Sequence, residues 1–166
     1  MDPSESPRWS QRIDPMVIKL ICAIESASLI TVVAVMYATG APPATTAIAV
    51  GLLILPIVVI ARSTLRIRLE PLRLRWTFYP FWRGSLAYDD IESVEVERVD
   101  AMRDYMGWGP KVSRTAFGAI ARSGPAVRIG RRSKRRDLVL TCDEAEELAD
   151  ALRTVAPNLP VEQPAS

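Results

Sequence analysis

Histidine is missing from all 166 residues of this chain, and cysteine occurs only twice. Because histidine is the commonest general base and zinc ligand, its absence excludes Ser-His and Cys-His catalytic pairs and histidine-based metal sites. Cys22 lies inside an apolar run and Cys142 near a predicted helix start, so neither a disulfide framework nor a metal cluster is indicated. Phosphate-binding glycine loops and carboxylate pairs at active-site spacing are also missing. The sequence therefore predicts a protein that is not an enzyme, with no catalytic residue, metal or cofactor.

Charge is distributed unevenly along the chain. The formal net charge is only +2, but basic residues cluster at 62–75 and 122–136, whereas acidic residues dominate 89–104 and 143–150. Net charge therefore says little about partners, and the local clusters say more.

Two long apolar runs occupy residues 16–61. The first covers 16–38 and the second about 44–61, with an uncharged, turn-rich connection between them. About 20 apolar residues in a helix rising about 1.5 Å per residue are enough to cross a hydrocarbon core of about 30 Å. These runs predict two transmembrane helices. A signal peptide is the competing interpretation of the first run, but the run is longer than a usual signal core and a second run follows directly.

Positive charge flanks the two runs, and the connection between them is uncharged. The flanking basic residues are Arg8, Arg12, Lys19, Arg62, Arg66 and Arg68. By the positive-inside rule, we expect a multi-pass protein of the cell (inner) membrane with both termini in the cytoplasm. Residues 1–15 are predicted to be a flexible cytoplasmic tail, and residues 157–166 a second flexible tail.

Residues 62–156 have the pattern of a separate cytoplasmic domain. Seven segments show the period-two alternation or the turn-bounded apolar character typical of strands, at 65–69, 72–76, 83–88, 92–99, 115–121, 125–130 and 136–141. An amphipathic helix follows, with Leu148, Ala149 and Leu152 on its apolar face. Thr141 and Glu144 fit a capping box at its start, and Pro157 ends it.

This order of about seven strands and a closing helix resembles the pleckstrin-homology-like (PH-like) barrel. More narrowly, GWG at 107–109, TAFGAIARSGPAVRI at 115–129 and RRDLVLTCDEAEELADAL at 135–152 resemble an uncharacterised actinobacterial family of two-span membrane proteins. The resemblance implies a membrane helical hairpin followed by an α+β, mainly β, PH-like barrel of about seven antiparallel strands capped by one C-terminal helix. It implies a fold and a location, and no catalytic residues.

The densest basic run is RIGRRSKRRD at 128–137, between two predicted strands. Near a cytoplasmic leaflet each basic side chain contributes about 1 kcal/mol of attraction to anionic lipid, so the run is a candidate site for lipid headgroups or a protein partner. The candidate residues are Arg128, Arg131, Arg132, Lys134, Arg135 and Arg136, with Trp108 as a recognition aromatic. The alternative is a solvated hairpin tip. Nucleic acid is not expected as a partner, because two spans are present and no aromatic residue interrupts the run.

Glu25 is an ionisable residue inside the first predicted span. Such a residue is costly in a bilayer unless it is neutral, paired or facing another helix. Ser26 and Ser28 lie beside it, and small residues allow close helix approach. Glu25, Ser26 and Ser28 are therefore candidates for a transmembrane helix contact, with a membrane-protein partner or with a second copy of the chain. A neutral or lysine-paired glutamate is the alternative.

The sequence thus favours a non-enzymatic integral membrane protein that presents a cytoplasmic PH-like binding module to a protein partner or an anionic lipid surface. The alternative is a small accessory subunit of a membrane transport or envelope-biogenesis complex, docking through its transmembrane helices.

Overall fold

The computed structural model describes residues 7–156, so the predicted tail at 157–166 and the first six residues lie outside the described part. The chain forms two compact units. One, here called the helical unit, is Ile13–Ser63. Of the described residues, the other, the sheet unit, combines 7–12 with 64–156.

The helical unit consists of two helices, α1 (Pro15–Ala38) and α2 (Pro43–Ala61). Asp14 caps α1 by accepting a hydrogen bond from the backbone N–H of Met16 at 2.8 Å. Both helices are long and apolar enough to cross a membrane, and only 6% and 0% of their most apolar windows are buried. The two predicted helices are confirmed at nearly their predicted bounds.

The first sheet of the sheet unit is antiparallel and has the order β1-β2-β3-β4. Its strands are β1 (Arg8–Arg12), β2 (Thr64–Glu70), β3 (Arg73–Tyr79) and β4 (Trp82–Ala87). The structure differs here from the tail predicted over residues 1–15, because Arg8–Arg12 is a paired strand.

β1 forms because its five residues alternate between the two faces of the sheet. Trp9 and Gln11 are 3% and 5% exposed and lie opposite Ile67 and Leu65 of β2. The Gln11 side-chain amide also donates a hydrogen bond to Asp143 at 3.0 Å. Five polar-looking residues before a long apolar run carry too little local signal to predict this strand.

The second sheet has the order β5-β8-β9-β7-β6. Its strands are β5 (Ile91–Val99), β6 (Gly109–Val112), β7 (Ala116–Ile120), β8 (Gly124–Arg131) and β9 (Asp137–Thr141). All seven predicted strand segments are strands. The sheets are mostly antiparallel, with a parallel pair between β7 and β9.

Two short helices complete the sheet unit, α3 (Ala101–Tyr105) and α4 (Ala145–Val155). α4 is the predicted C-terminal helix, but the predicted capping box is wrong. Thr141 ends β9 and is fully buried, and its hydroxyl accepts a hydrogen bond from the Ala121 backbone N–H at 2.9 Å. Glu144 is the N-cap of α4 and makes no side-chain capping bond.

The second sheet is buried on both faces at β9, which explains the unbroken apolar run Leu138, Val139 and Leu140. Val139 belongs to a buried cluster that includes Ala101 and Tyr105 of α3, and Trp108 packs against that cluster. α4 packs against β5 and β8. This packing leaves the connection between β8 and β9, which carries the basic run, at the surface.

Candidate functional site

The basic run forms a clamped loop. Residues 131–136, here called the basic loop, connect β8 to β9. The Asp90 carboxylate accepts hydrogen bonds from the backbone N–H and the hydroxyl of Ser133, both at 2.7 Å. The Asp90 backbone carbonyl accepts a third bond from the Arg132 N–H at 2.9 Å. The loop is therefore held in one conformation with its cationic side chains around a fixed turn.

The charges of the loop also act on Asp90. Partial burial alone would raise the pKa of the Asp90 carboxyl, but the two Ser133 hydrogen bonds and the nearby Arg131 and Lys134 lower it below its ordinary value. Asp90 therefore stays ionised at neutral pH and remains an acceptor for the loop.

Arg131 anchors the two ends of the loop to each other. Its Nε donates to the Arg136 backbone carbonyl at 2.7 Å, and its Nη2 donates to the same carbonyl and to that of Asp137. This fork of bonds leaves the Arg131 side chain partly buried while Lys134, Arg135 and Arg136 are exposed.

The loop borders a cavity of about 770 Å³, here called the basic cavity. Of the described residues, its lining includes five basic side chains and no acidic one. The basic lining residues are Arg114, Arg131, Lys134, Arg135 and Arg136. The cavity therefore has the electrostatics of an anion site, because like charges are gathered without a counter-charge in the lining.

Aromatic side chains form the remaining wall of the basic cavity. Trp82 and Phe117 line it with their ring centroids 5.7 Å apart and their planes tilted by 37°. Trp76 also lines it and lies opposite Gly84, where a side chain would clash with the indole. An apolar wall beside cationic groups suits a ligand that is itself part anionic and part apolar.

Trp76 contributes a largely buried indole to this wall. Its side chain is 95% buried, since only 5% is exposed, and its indole N–H has no acceptor within residues 7–156. A buried donor without an acceptor is costly, so such groups are rare in folded proteins. Among residues 7–156 the Trp108 indole N–H is in the same state, and neither nitrogen has accessible surface, so the buried N–H of Trp76 does not by itself mark a ligand.

Arg128, also predicted for this site, does not line the basic cavity. Its Nε donates to Glu97 at 2.9 Å and its Nη1 to Asp137 at 3.1 Å. Burial alone would lower the pKa of Arg128, but the bonds to Glu97 and Asp137 raise it above its ordinary value. Arg128 is thus a paired cation on the sheet surface.

Trp108 is also separated from the basic loop. It is half-buried and packs against the cluster around α3 and Tyr105. Gly107, on its N-terminal side, has a φ of +129° and donates to the Ala101 carbonyl at 2.8 Å, ending α3. Arg132, the remaining predicted residue, is exposed and outside the lining of the basic cavity.

Sequence reasoning missed Arg114, Trp82 and Phe117 as members of the site. β6 and β7 form a hairpin that ends next to Arg114, and the parallel pairing of β7 with β9 brings Phe117 beside Leu138. β3 and β4 place Trp82 opposite Phe78. The two hairpins are local, but their placement beside the basic loop depends on the long-range pairing of β7 with β9 and on how the strands assemble, which no short window of sequence indicates.

The predicted helix-contact residues lie on α1. The Ser26 hydroxyl donates to the Cys22 carbonyl at 2.6 Å and the Ser28 hydroxyl to that of Ile24 at 3.1 Å. Glu25 is half-buried and forms no ion pair with any residue in 7–156. The two serines are therefore satisfied within the helix, while the carboxylate is not.

No family model, curated protein or solved structure matches the chain. In the part of the chain that the structure describes, no group of three or more acidic or cysteine side chains could hold a metal ion.

Proposed function

We propose that this chain is a non-enzymatic integral membrane protein whose cytoplasmic PH-like module binds an anionic, phosphate-bearing headgroup in the basic cavity. The observation that carries the proposal is the gathering of five basic side chains around one cavity whose described lining includes no acidic residue. The clamped basic loop supports it, because a fixed loop loses little conformational freedom on binding.

The dimensions of the cavity favour a small ligand over a flat protein surface. Ligand pockets commonly have volumes of about 300–1,000 Å³, and this cavity measures about 770 Å³. Lys134, Arg135 and Arg136 would neutralise a phosphate group, and Trp82 and Phe117 would cover the apolar part next to it.

The membrane placement is supported by the two long apolar helices and by the charges beside them. Arg12 precedes α1 and Arg62 follows α2, whereas the connection between the helices is uncharged. The positive-inside rule then favours a cytoplasmic sheet unit, in a cell membrane whose inner leaflet carries the anionic lipids.

The PH-like assignment is supported by the order of the elements. β1–β5, β8 and β9 are seven strands joined by antiparallel pairs, and α4 follows them. This set differs from the seven predicted strands because it includes β1 and omits β7, which pairs in parallel with β9. In this interpretation the β6–β7 hairpin is an addition at the edge of the second sheet. The similarity to the actinobacterial two-span family is part of the same proposal.

The proposal is tested with the full chain in nanodiscs of phosphatidylcholine. Short-chain phosphatidylglycerol is titrated and binding is followed by calorimetry, with short-chain phosphatidylcholine as the neutral control and inorganic phosphate as the free-anion control. We expect phosphatidylglycerol to bind and phosphatidylcholine not to bind. Binding of phosphate as strong as that of phosphatidylglycerol would assign the site to a free anion.

The variant Lys134→Gln/Arg135→Gln is expected to weaken binding about tenfold for each charge-assisted hydrogen bond lost. Its matched control is Arg98→Gln/Arg103→Gln, which removes two exposed cations that do not line the basic cavity. Equal binding by the two variants, or no binding by the parent, would contradict the proposal.

A second candidate function is a docking subunit, and it is favoured by Glu25 on α1, which forms no ion pair with any residue in 7–156. In a bilayer such a carboxyl would be stabilised by a hydrogen bond to a partner helix. Glu25→Leu should then convert a high-mass complex to the free chain on native gels of solubilised membranes, whereas Glu25→Gln should retain it. An unchanged complex in Glu25→Leu would exclude this function.

A further inference from the structure

The outward face of the first sheet is lined with arginine. The exposed residues of its first three strands include two arginines each, at Arg8 and Arg12, Arg66 and Arg68, and Arg73 and Arg75. Arg83 adds another on β4. We call this surface the arginine face. It lies on the side of the sheet opposite to Leu65, Ile67 and Leu74, which are buried.

The strand register aligns three of these charges in one row. Arg8 lies directly opposite Arg68, and Arg68 lies directly opposite Arg75, so three arginines cross three neighbouring strands. Like charges that face each other across strands destabilise a sheet. Glu70 is the acidic residue on this face, and it pairs with Arg75 at 3.0 Å and with Arg73 at 3.8 Å. The other arginines form no ion pair with a residue in 7–156.

Chain connectivity ties this face to the two helices. Two residues separate Arg12 from the start of α1, and two separate the end of α2 from Thr64. Three peptide steps span at most about 11 Å. That distance is close to the screening length of about 8 Å at physiological salt, so it brings the Arg12 and Thr64 end of the face within reach of an anionic leaflet. The arginines at the other end, about 20 Å away along β2, reach the leaflet only if the sheet lies along the membrane.

We propose that the arginine face is a membrane-apposed surface that lies on the anionic headgroups of the leaflet into which α1 and α2 insert. This inference rests on the membrane placement in the proposed function and is independent of the basic cavity. The lipid phosphates supply the counter-charges that the sheet lacks, and they hold the sheet unit flat on the leaflet. The spread of its charges over several strands fits a lipid surface, whereas a single small anion would engage only part of it.

The test uses the full chain with Cys22 and Cys142 replaced by Ala and a fluorophore on Ala87→Cys. Ala87 is exposed on β4 and lies opposite Arg73, at the end of the sheet away from Arg12 and Thr64. Nanodiscs contain phosphatidylcholine alone or with added phosphatidylglycerol, each with a nitroxide-headgroup lipid as quencher. A fluorophore on Glu146→Cys, exposed on α4, is the control position.

We expect stronger quenching at Ala87→Cys in the anionic nanodiscs than in the neutral ones, decreasing as salt is added, with a smaller lipid dependence at Glu146→Cys. Arg66→Gln/Arg68→Gln should lower the docking equilibrium constant by about 25-fold, at about fivefold per arginine. The matched Arg98→Gln/Arg103→Gln should leave it unchanged. Removing Arg68 relieves the like-charge repulsion expected from Arg8 and Arg75, which lie opposite it, so the face variant should unfold at the same temperature as the parent or higher.

Quenching at Ala87→Cys that is equal in both lipid mixtures would overturn the proposal and assign the face to solvent or to an acidic protein. Equal docking equilibrium constants for Arg66→Gln/Arg68→Gln and Arg98→Gln/Arg103→Gln would also overturn the proposal. The same samples also report whether the chain inserts into both nanodiscs and whether the basic cavity binds a headgroup. Loss of docking by the arginine face is therefore distinguishable from failure of the proposed function.

Discussion

Arg12 of β1 lies directly opposite Thr64 of β2, although the whole of Ile13–Ser63 separates them in the chain. The helical unit is therefore inserted between two paired neighbouring strands of one sheet. Because the strands are antiparallel, the helical hairpin leaves and re-enters the sheet at the same end. A hairpin of two spanning helices also begins and ends on one side of a bilayer, so the sheet register and the proposed topology agree.

This relationship predicts that the sheet unit can be separated from the hairpin only if β1 is retained. Residues 1–12 joined through Asn-Gly to residues 64–166 should fold, because Arg12 and Thr64 are positioned for a two-residue turn. Residues 64–166 alone should be less stable by about 3–5 kcal/mol, since Trp9 is 3% exposed and its burial is lost. Urea unfolding of the two proteins measures the difference, and equal free energies of unfolding would show that β1 contributes nothing.

The clamp on the basic loop should be sensitive to acid. The pKa of Asp90 is lowered in the folded chain, so its contribution to stability is present above its ordinary pKa of 3.8 and is lost as the pH falls through the lower folded value. Asp90→Asn should cost about 1–2 kcal/mol at neutral pH through weaker hydrogen bonds to Ser133.

Urea unfolding of the parent and Asp90→Asn from neutral to acidic pH checks this prediction. The difference between the two free energies should shrink below pH about 4. Asp89→Asn is a suitable control, because no hydrogen bond or ion pair joins Asp89 to a described side chain. A difference that does not depend on pH would contradict the electrostatic origin of the clamp.

Gly84 should be required for the aromatic wall of the basic cavity. Its Cβ would clash with the Trp76 indole, so Gly84→Ala should destabilise the sheet by about 1–3 kcal/mol and displace the ring. The double variant Trp76→Leu/Gly84→Ala should lose less stability than the sum of the losses of the two single variants, because the smaller side chain leaves room for the methyl group that Gly84→Ala adds. Thermal unfolding of the single and double variants measures the coupling, and additive effects would show that the two residues do not interact.

Cys142 should be a poor nucleophile despite its position shortly before α4. Burial raises the pKa of its thiol to about 11, and the nearby Glu144 and Asp143 charges act in the same direction. Its stability contribution is therefore present below the ordinary thiol pKa of 9.0 and is lost as the pH rises toward about 11.

Alkylation by iodoacetamide, followed by mass spectrometry, measures this reactivity. At pH about 8 we expect Cys142 to react much more slowly than a cysteine placed at exposed Glu146, since only the thiolate attacks. Rapid alkylation of Cys142 in the folded protein would show that the thiol is accessible and ionised.

The sequence was informative wherever the signal is local. The two apolar helices follow from run length and composition, and the predicted strands follow from period-two alternation such as that of Leu65, Ile67 and Leu69. The capping-box prediction failed because long-range strand pairing overrode a local pattern. Thr141 has the right spacing to Glu144 for a cap, but pairing of β9 with β8 places it in a strand, and its hydroxyl bonds to Ala121.

The candidate site likewise combines residues that are adjacent in the chain with residues that only strand pairing brings together. The basic residues from Arg131 to Arg136 are adjacent in the chain and could be identified directly. Arg114, Trp82 and Phe117 reach the same cavity only through strand pairing. Arg128 belongs to the basic run by sequence, yet side-chain alternation along β8 turns it toward Glu97 and Asp137.

By itself, the sequence determined the two apolar helices, seven of the strands, the closing helix and the basic character of the loop, because hydropathy, periodicity and charge are properties of neighbouring residues. Only the tertiary structure decided that Arg8–Arg12 is a strand, that the basic loop faces an aromatic wall, and that arginines from separate strands form one row. Those features depend on strand order and register, which are set by how distant segments bury their apolar faces together.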